Sequence, residues 1–205
     1  MFDVTDAQFL IKQQVDRIVE EVLCNRDNDN FYHKGVFNTQ NLPDHLGYRY
    51  FPNIDDKFRE IIFDKLYNIR ENHCLYWFEL ENHEKANELN TLLCTYRNNV
   101  DNIDYKKVPV KNNNSDSDSN ILYLGVRQGG YRKRDNLTNI AGRILQHLGY
   151  YDKKTTQGLQ LYEYARDKDF KITLKVIEFK GIEPYCLNVV EKLLAKKMKP
   201  LSGTH

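Results

Sequence analysis

No run of about 18 apolar residues occurs in this 205-residue chain, so no ordinary membrane-spanning helix is expected. Cysteine is scarce: Cys24, Cys74, Cys94 and Cys186 stand far apart and form no C-x-x-C pair. That spacing argues against a zinc site and a disulfide framework, and points to free thiols in a reducing compartment. The opening Met1-Phe2-Asp3-Val4 lacks the basic-then-apolar layout of a secretory signal, so a cytoplasmic location is expected. No internal repeat is present, and neither sign of charge dominates, the net being +1. With 40% hydrophobic residues the chain can build a real core, in one large or two small domains.

The near-zero net charge hides an asymmetry. Residues 1–72 carry 9 Lys+Arg against 13 Asp+Glu, and residues 73–120 carry 5 against 8. Residues 121–205 reverse this, with 16 against 8. A polyanion would be drawn to that last segment with salt-dependent affinity. A solvated lysine-rich face would give the same count.

Periodicity sets out the elements. Thr5-x-x-Gln8 has the form of a capping box, and Ile11, Val15, Ile18 and Val22 follow at helical spacing, giving a helix over about 6–24. Residues 25–54, rich in Asn, Asp and aromatics, read as an ordered, irregular connection. Its aromatics could cover the helices or stack on nucleobases. Asp55 or Asp56 could cap a second helix carrying Phe58, Ile62, Leu66 and Ile69. Residues 74–80, Cys-Leu-Tyr-Trp-Phe-Glu-Leu, read as a strand, followed by a helix with Leu89, Leu92, Leu93 and Tyr96 on its apolar side. Residues 111–120 contain no apolar member and are expected to form a poorly ordered surface loop.

A second strand is expected over 121–126, then Gly129-Gly130 and the basic run Arg132-Lys133-Arg134. A helix from about Asn136 packs Ile140, Ile144 and Leu148 inward and stops at Gly149. Residues 159–165 and 172–179 read as two further strands joined as a hairpin, and Pro184 opens a last helix burying Leu187, Val190 and Leu194.

Chemistry concentrates in the C-terminal half. Tyr123-Leu124-Gly125 is followed, eighteen residues after its glycine, by Arg143 and His147, which lie one helical turn apart. Glu191 precedes Leu193-Leu194, with Pro200 nine residues after it. A strand tyrosine, a helical Arg/His pair and a late glutamate suit phosphodiester hydrolysis. The arginine can neutralise a pentavalent phosphate, the glutamate can hold a hard divalent metal, and the tyrosine or histidine can orient or deprotonate water. Each residue also has a plainer reading. Arg143 could edge a packed stripe, and His147 could sit at a helix C-terminus favoured by the dipole. Strand tyrosines often only pack. Glu191, amid Val189, Val190, Leu193 and Leu194, needs a partner for its charge, either a metal or one of Lys192 and Lys196.

Taken together, Leu75-Tyr76-Trp77, Tyr123-Leu124-Gly125, Arg143 with His147, Glu191 and Pro200 resemble the GIY-YIG nuclease family over residues 73–203. The first two segments stand where that family's paired strand tyrosines stand. The departures are specific. Leu75 and Trp77 replace a glycine and a tyrosine, and Tyr76 and Tyr123 lie 47 positions apart. An insertion at about 81–120 between neighbouring strands accounts for that distance. Many members carry a lysine just after the second motif; here Val126 and Arg127 follow, so that role passes to Arg127 or is lost, and no asparagine follows Pro200.

The resemblance implies a small mixed or antiparallel central sheet flanked by helices over 73–205; with the helical periodicity of residues 1–72, read as an N-terminal helical region, the expected fold class is α+β. It implies a Mg²⁺- or Mn²⁺-dependent endonuclease acting on DNA. Tyr76, Tyr123, Arg143, His147 and Glu191 would be the catalytic set, with Glu191 the metal ligand. Arg127, Arg132, Lys133 and Arg134 would contact nucleic acid. A homodimer is one way for a single site to cut both strands. A catalytically degenerate nucleic-acid binder and a protein–protein interaction module are the alternative expectations.

Overall fold

The computed structural model describes residues 5–44, 58–99, 101, 104–130, 139–151 and 154–203. Its centre is one four-stranded antiparallel sheet, in the order β1-β4-β2-β3. The strands are β1 (His33–Asn38), β2 (His73–Leu80), β3 (Ile121–Arg127) and β4 (Lys171–Phe179). The helices are α1 (Thr5–Cys24), α2 (Asp64–Asn68, entered through a π-helical turn over Arg59–Phe63), α3 (His83–Arg97), α4 (Ile140–Leu148), α5 (Leu161–Ala165) and α6 (Pro184–Met198). No described helix is long and apolar enough to cross a membrane.

β2 lies between β4 and β3 and is covered on both faces, which explains its unbroken apolar run. Alternation sends Cys74, Tyr76, Phe78 and Leu80 to one core with α4 residues Ile144, Leu145 and Leu148. It sends Leu75 and Trp77 to a second core with Val15, Val19 and Val22 of α1 and Val190 and Leu194 of α6. The inward stripe of α1 is therefore Val15, Val19 and Val22; Ile11 remains exposed.

Three expectations change. Residues 25–54 were expected to be irregular, yet β1 forms there and pairs with β4, so the N-terminal region shares the sheet of residues 73–205 and is not purely helical. Gly35 permits this: a Cβ there would meet Ile62 Cδ1 at 2.6 Å, so the π-helical turn can lie directly on the edge strand. Residues 159–165 form no strand. Gln160 takes left-handed torsions (φ 56°, ψ 41°), and the chain then turns into α5, burying Leu161 and Ala165 one turn apart. The expected hairpin is absent.

The loop at 111–120 is tied down. Its polar side chains take up carbonyls left without helical partners at and just past the end of α6: Ser119 Oγ donates to the Met198 carbonyl (3.2 Å), and Asn112 Nδ2 to that of Pro200 (2.8 Å). Lys199 of the same turn pairs with Asp116 (3.1 Å). A segment with no apolar residue is thus held by hydrogen bonds.

Candidate active site

The β2–β3 register sets Tyr76 opposite Gly125 and Phe78 opposite Tyr123, so both tyrosines rise from one face of the sheet. Their rings lie 6.2 Å apart at 28°. The Tyr76 ring lies over Gly125, where a Cβ would sit 2.8 Å from its hydroxyl oxygen. α4 crosses this face. Its N-cap is Asn139, whose side chain accepts the Gly142 N–H, and it stops at Gly149 in a left-handed conformation (φ 101°). Spacing of four residues then points Arg143 and His147 at the tyrosines.

Arg143 is the hub. Its Nε donates to the Tyr76 hydroxyl (3.0 Å) and its Nη2 to the Tyr123 hydroxyl (3.3 Å). Its Nη1 donates to Gln146 Oε1 (3.1 Å) and to the Gln157 carbonyl. Four of its five N–H donors are engaged in this way, leaving one on Nη2. His147 is fully buried against Phe78 and Tyr123, with its Nε2 2.9 Å from the Tyr76 hydroxyl and its Nδ1 3.1 Å from the Leu159 N–H. Burial, helped by the Arg143 charge, holds its pKa well below that of a free histidine.

The two tyrosines differ. Tyr76 is 0% exposed, and burial pushes its phenol pKa up, only partly offset by Arg143. Tyr123 is half-buried, so of the two tyrosines it is the one that keeps some surface in solvent.

α6 supplies Glu191, half-buried beside the edge strand β3. Burial pushes its carboxyl up to about 7, and the Val126 N–H that it accepts, Arg143 and Lys192 pull the other way. Neither lysine weighed as its partner neutralises it: Lys192 and Lys196 are both exposed, and only Lys192 acts on it, more weakly than Val126 and Arg143. Among the described residues no three His, Cys, Asp or Glu side chains gather into a metal cluster. Mg²⁺ does not require one, since it keeps several waters and is often held by one carboxylate together with substrate phosphate. A carboxylate that is costly to ionise and not neutralised by a lysine fits that mode of binding.

Arg127 closes β3 opposite Cys74, next in sequence to the residue whose N–H caps Glu191. Arg132, Lys133 and Arg134 lie outside the described residues. After Pro200, where the expected asparagine is missing, the chain runs along the free edge of β3. Ser202 bridges to Tyr123 and donates through Oγ to the Leu122 carbonyl (2.7 Å). The terminal segment thus braces the strand that carries Tyr123.

Sequence reading missed Gln146, Gln157 and the Leu159 N–H, which hold Arg143 and His147. The one visible signal was Gly158 between them, which reads simply as a loop glycine.

No protein-family model, no curated protein and no solved structure matches this chain. The functional reading therefore rests on the site itself and on the motif resemblance.

Proposed function

We propose that the chain is a metal-dependent DNA endonuclease of the GIY-YIG type, hydrolysing phosphodiester bonds. The observation that carries this reading is the position of Arg143, bonded to both strand tyrosines and close enough to Glu191 to influence its carboxyl. Three elements distant in sequence converge on one guanidinium.

In this reading Glu191 holds a Mg²⁺ or Mn²⁺ ion, which when bound offsets charge on the scissile phosphate. Arg143, fixed on four sides, directs its remaining Nη2–H and its charge at a non-bridging oxygen and is worth most as that oxygen gains charge. Tyr123, the tyrosine that is not fully buried, orients the attacking water through its hydroxyl, which Arg143 Nη2 holds in place. Tyr76 and His147, both fully buried, position Arg143 and do not meet the substrate.

The altered first motif does not argue for a degenerate binder. Leu75 and Trp77 point to the opposite face of β2, into the core with α1 and α6, and only Tyr76 faces the site. Incubating purified protein with supercoiled plasmid in Mg²⁺, in Mn²⁺ and in chelator tests the proposal. Nicked or linear product with either metal, and none with chelator, is expected. DNA bound but intact in every condition would favour the degenerate binder, and no DNA binding the interaction module.

A further inference from the structure

Arg143 and His147 are both held by the short strap at 157–160 that follows α4. The Gln157 carbonyl accepts from Arg143 Nη1, and the Leu159 N–H donates to His147 Nδ1 at 3.1 Å. Between these contacts Gly158 presses onto α4, where a Cβ would lie 2.6 Å from the Gln146 carbonyl oxygen and 3.3 Å from the His147 nitrogen. Only a residue without a side chain lets the strap come this near. Gln160, in left-handed torsions, then turns the chain into α5.

The strap is braced from behind by the segment inserted between β2 and β3. The Gly158 N–H donates to the Lys107 carbonyl (3.2 Å), and Gln157 Nε2 to that of Val108 (3.3 Å). Lys106, itself buried, reaches the Gly149 carbonyl at 2.7 Å and Glu163 at 2.7 Å, tying the insertion to both ends of the α4–α5 connection.

A neutral imidazole has one N–H and one lone pair, and the bond made by one nitrogen decides the state of the other. A backbone N–H can only donate, so Nδ1 of His147 must accept and the ring proton sits on Nε2, aimed at Tyr76. The Tyr76 oxygen then receives two N–H groups, from His147 and from Arg143.

We propose that the 157–160 strap, braced by residues 106–108 of the insertion, is the positioning element of this site, fixing His147 as a permanent N–H donor to Tyr76 and setting the direction of Arg143. His147 is therefore a positioning residue and takes no proton from water or from Tyr76. The insertion acts as the back wall of the site. This inference deepens the nuclease reading and rests on it for its functional meaning, while its structural content stands apart from activity.

The test has two arms. In the first, ¹⁵N NMR of the full-length protein reads the ring nitrogens of His147 across about pH 5 to 8. A protonated Nε2 and a bare Nδ1 that do not change with pH are expected. A proton on Nδ1, or an imidazole that titrates in that range, would overturn the proposal. In the second arm, Gly158→Ala should shift the His147 signals and lower kcat on plasmid by about a hundredfold with little change in KM. Unchanged signals and rate would overturn it. Should Gly158→Ala fail to fold, His147→Gln and His147→Phe decide. Gln keeps an N–H donor toward Tyr76 and should retain more than about a tenth of the rate, whereas Phe should lose it. Equal loss in both would identify His147 as a base and refute the proposal. Were the wild type not to cleave DNA at all, the function proposed above would fail, and the NMR arm alone would still judge the strap.

Discussion

Tyr76 and Gly125 face each other across the β2–β3 ladder, and the phenol of the first occupies the space where a side chain of the second would be. The tyrosine hydroxyl reaches Arg143 and His147 only because that position is empty. Gly125→Ala should push the Tyr76 ring away from both, costing about 1–3 kcal/mol as an overpacked core does. Denaturant unfolding and plasmid cleavage should show both losses together. Wild-type stability and cleavage in this variant would show that the ring has room to spare.

The two tyrosines should separate stability from turnover. Tyr76→Phe leaves the His147 Nε2–H and the Arg143 Nε–H without their buried acceptor, which costs about 1–3 kcal/mol for each group left unpaired. Tyr123→Phe removes a hydroxyl from a residue that is only half-buried, so stability should change by less than about 1 kcal/mol while kcat falls. Thermal unfolding paired with single-turnover cleavage reads both. Equal stability losses would contradict the assignment of Tyr76 to positioning and Tyr123 to the substrate side.

On the opposite face of the sheet, Glu79 holds a partly buried ionic lock. It accepts from Lys175 (3.0 Å), Arg26 (3.3 Å), Trp77 Nε1 (3.1 Å) and Asn120 (3.0 Å). Lys175 is almost fully buried and also lies over the Tyr32 and Trp77 rings. Removing the single anion leaves Lys175 with the Arg26 carbonyl and Arg26 with Asn120 Oδ1 as their remaining acceptors, so Glu79→Ala should cost about 1–3 kcal/mol. Denaturant unfolding measures it, and a loss below about 1 kcal/mol would mean that the lock contributes little.

Glu191 should make stability depend on pH. Its folded carboxyl is raised from 4.5 to about 7, chiefly by burial. A raised folded pKa means that the contribution to stability is complete below the unfolded value and is lost as pH rises through 7. Wild type should therefore lose stability relative to Glu191→Gln between about pH 4.5 and 7. Because a metal ligand must be deprotonated, Mg²⁺ should raise the melting temperature more at pH 8 than at pH 6, and only when Glu191 is intact. A Mg²⁺ effect retained in Glu191→Gln would place the metal elsewhere.

Most of the fold was legible because period and burial agree. The aromatic run around Trp77 marked a strand, and Ile140, Ile144 and Leu148 marked α4. The segments missed are those where tertiary contacts override local pattern. β1 exists because β4 offers it an edge and the bare Gly35 admits the π-helical turn. The residues at 159–165 have strand-like composition but are redirected by Gln160. In the site, the residues whose type suggests chemistry stood out, namely Tyr76, Tyr123, Arg143, His147 and Glu191. Gln146, Gln157 and the Leu159 N–H did not, because a backbone group has no sequence signature and a glutamine has many uses.

The most direct test compares wild type with Glu191→Gln in Mg²⁺, measuring DNA affinity by fluorescence anisotropy and strand cleavage in the same solution. The substitution keeps size and polarity but removes the charge that would hold the metal. The account predicts DNA affinity within about threefold of wild type and cleavage lower by about a hundredfold or more. Cleavage at the wild-type rate by Glu191→Gln would contradict it.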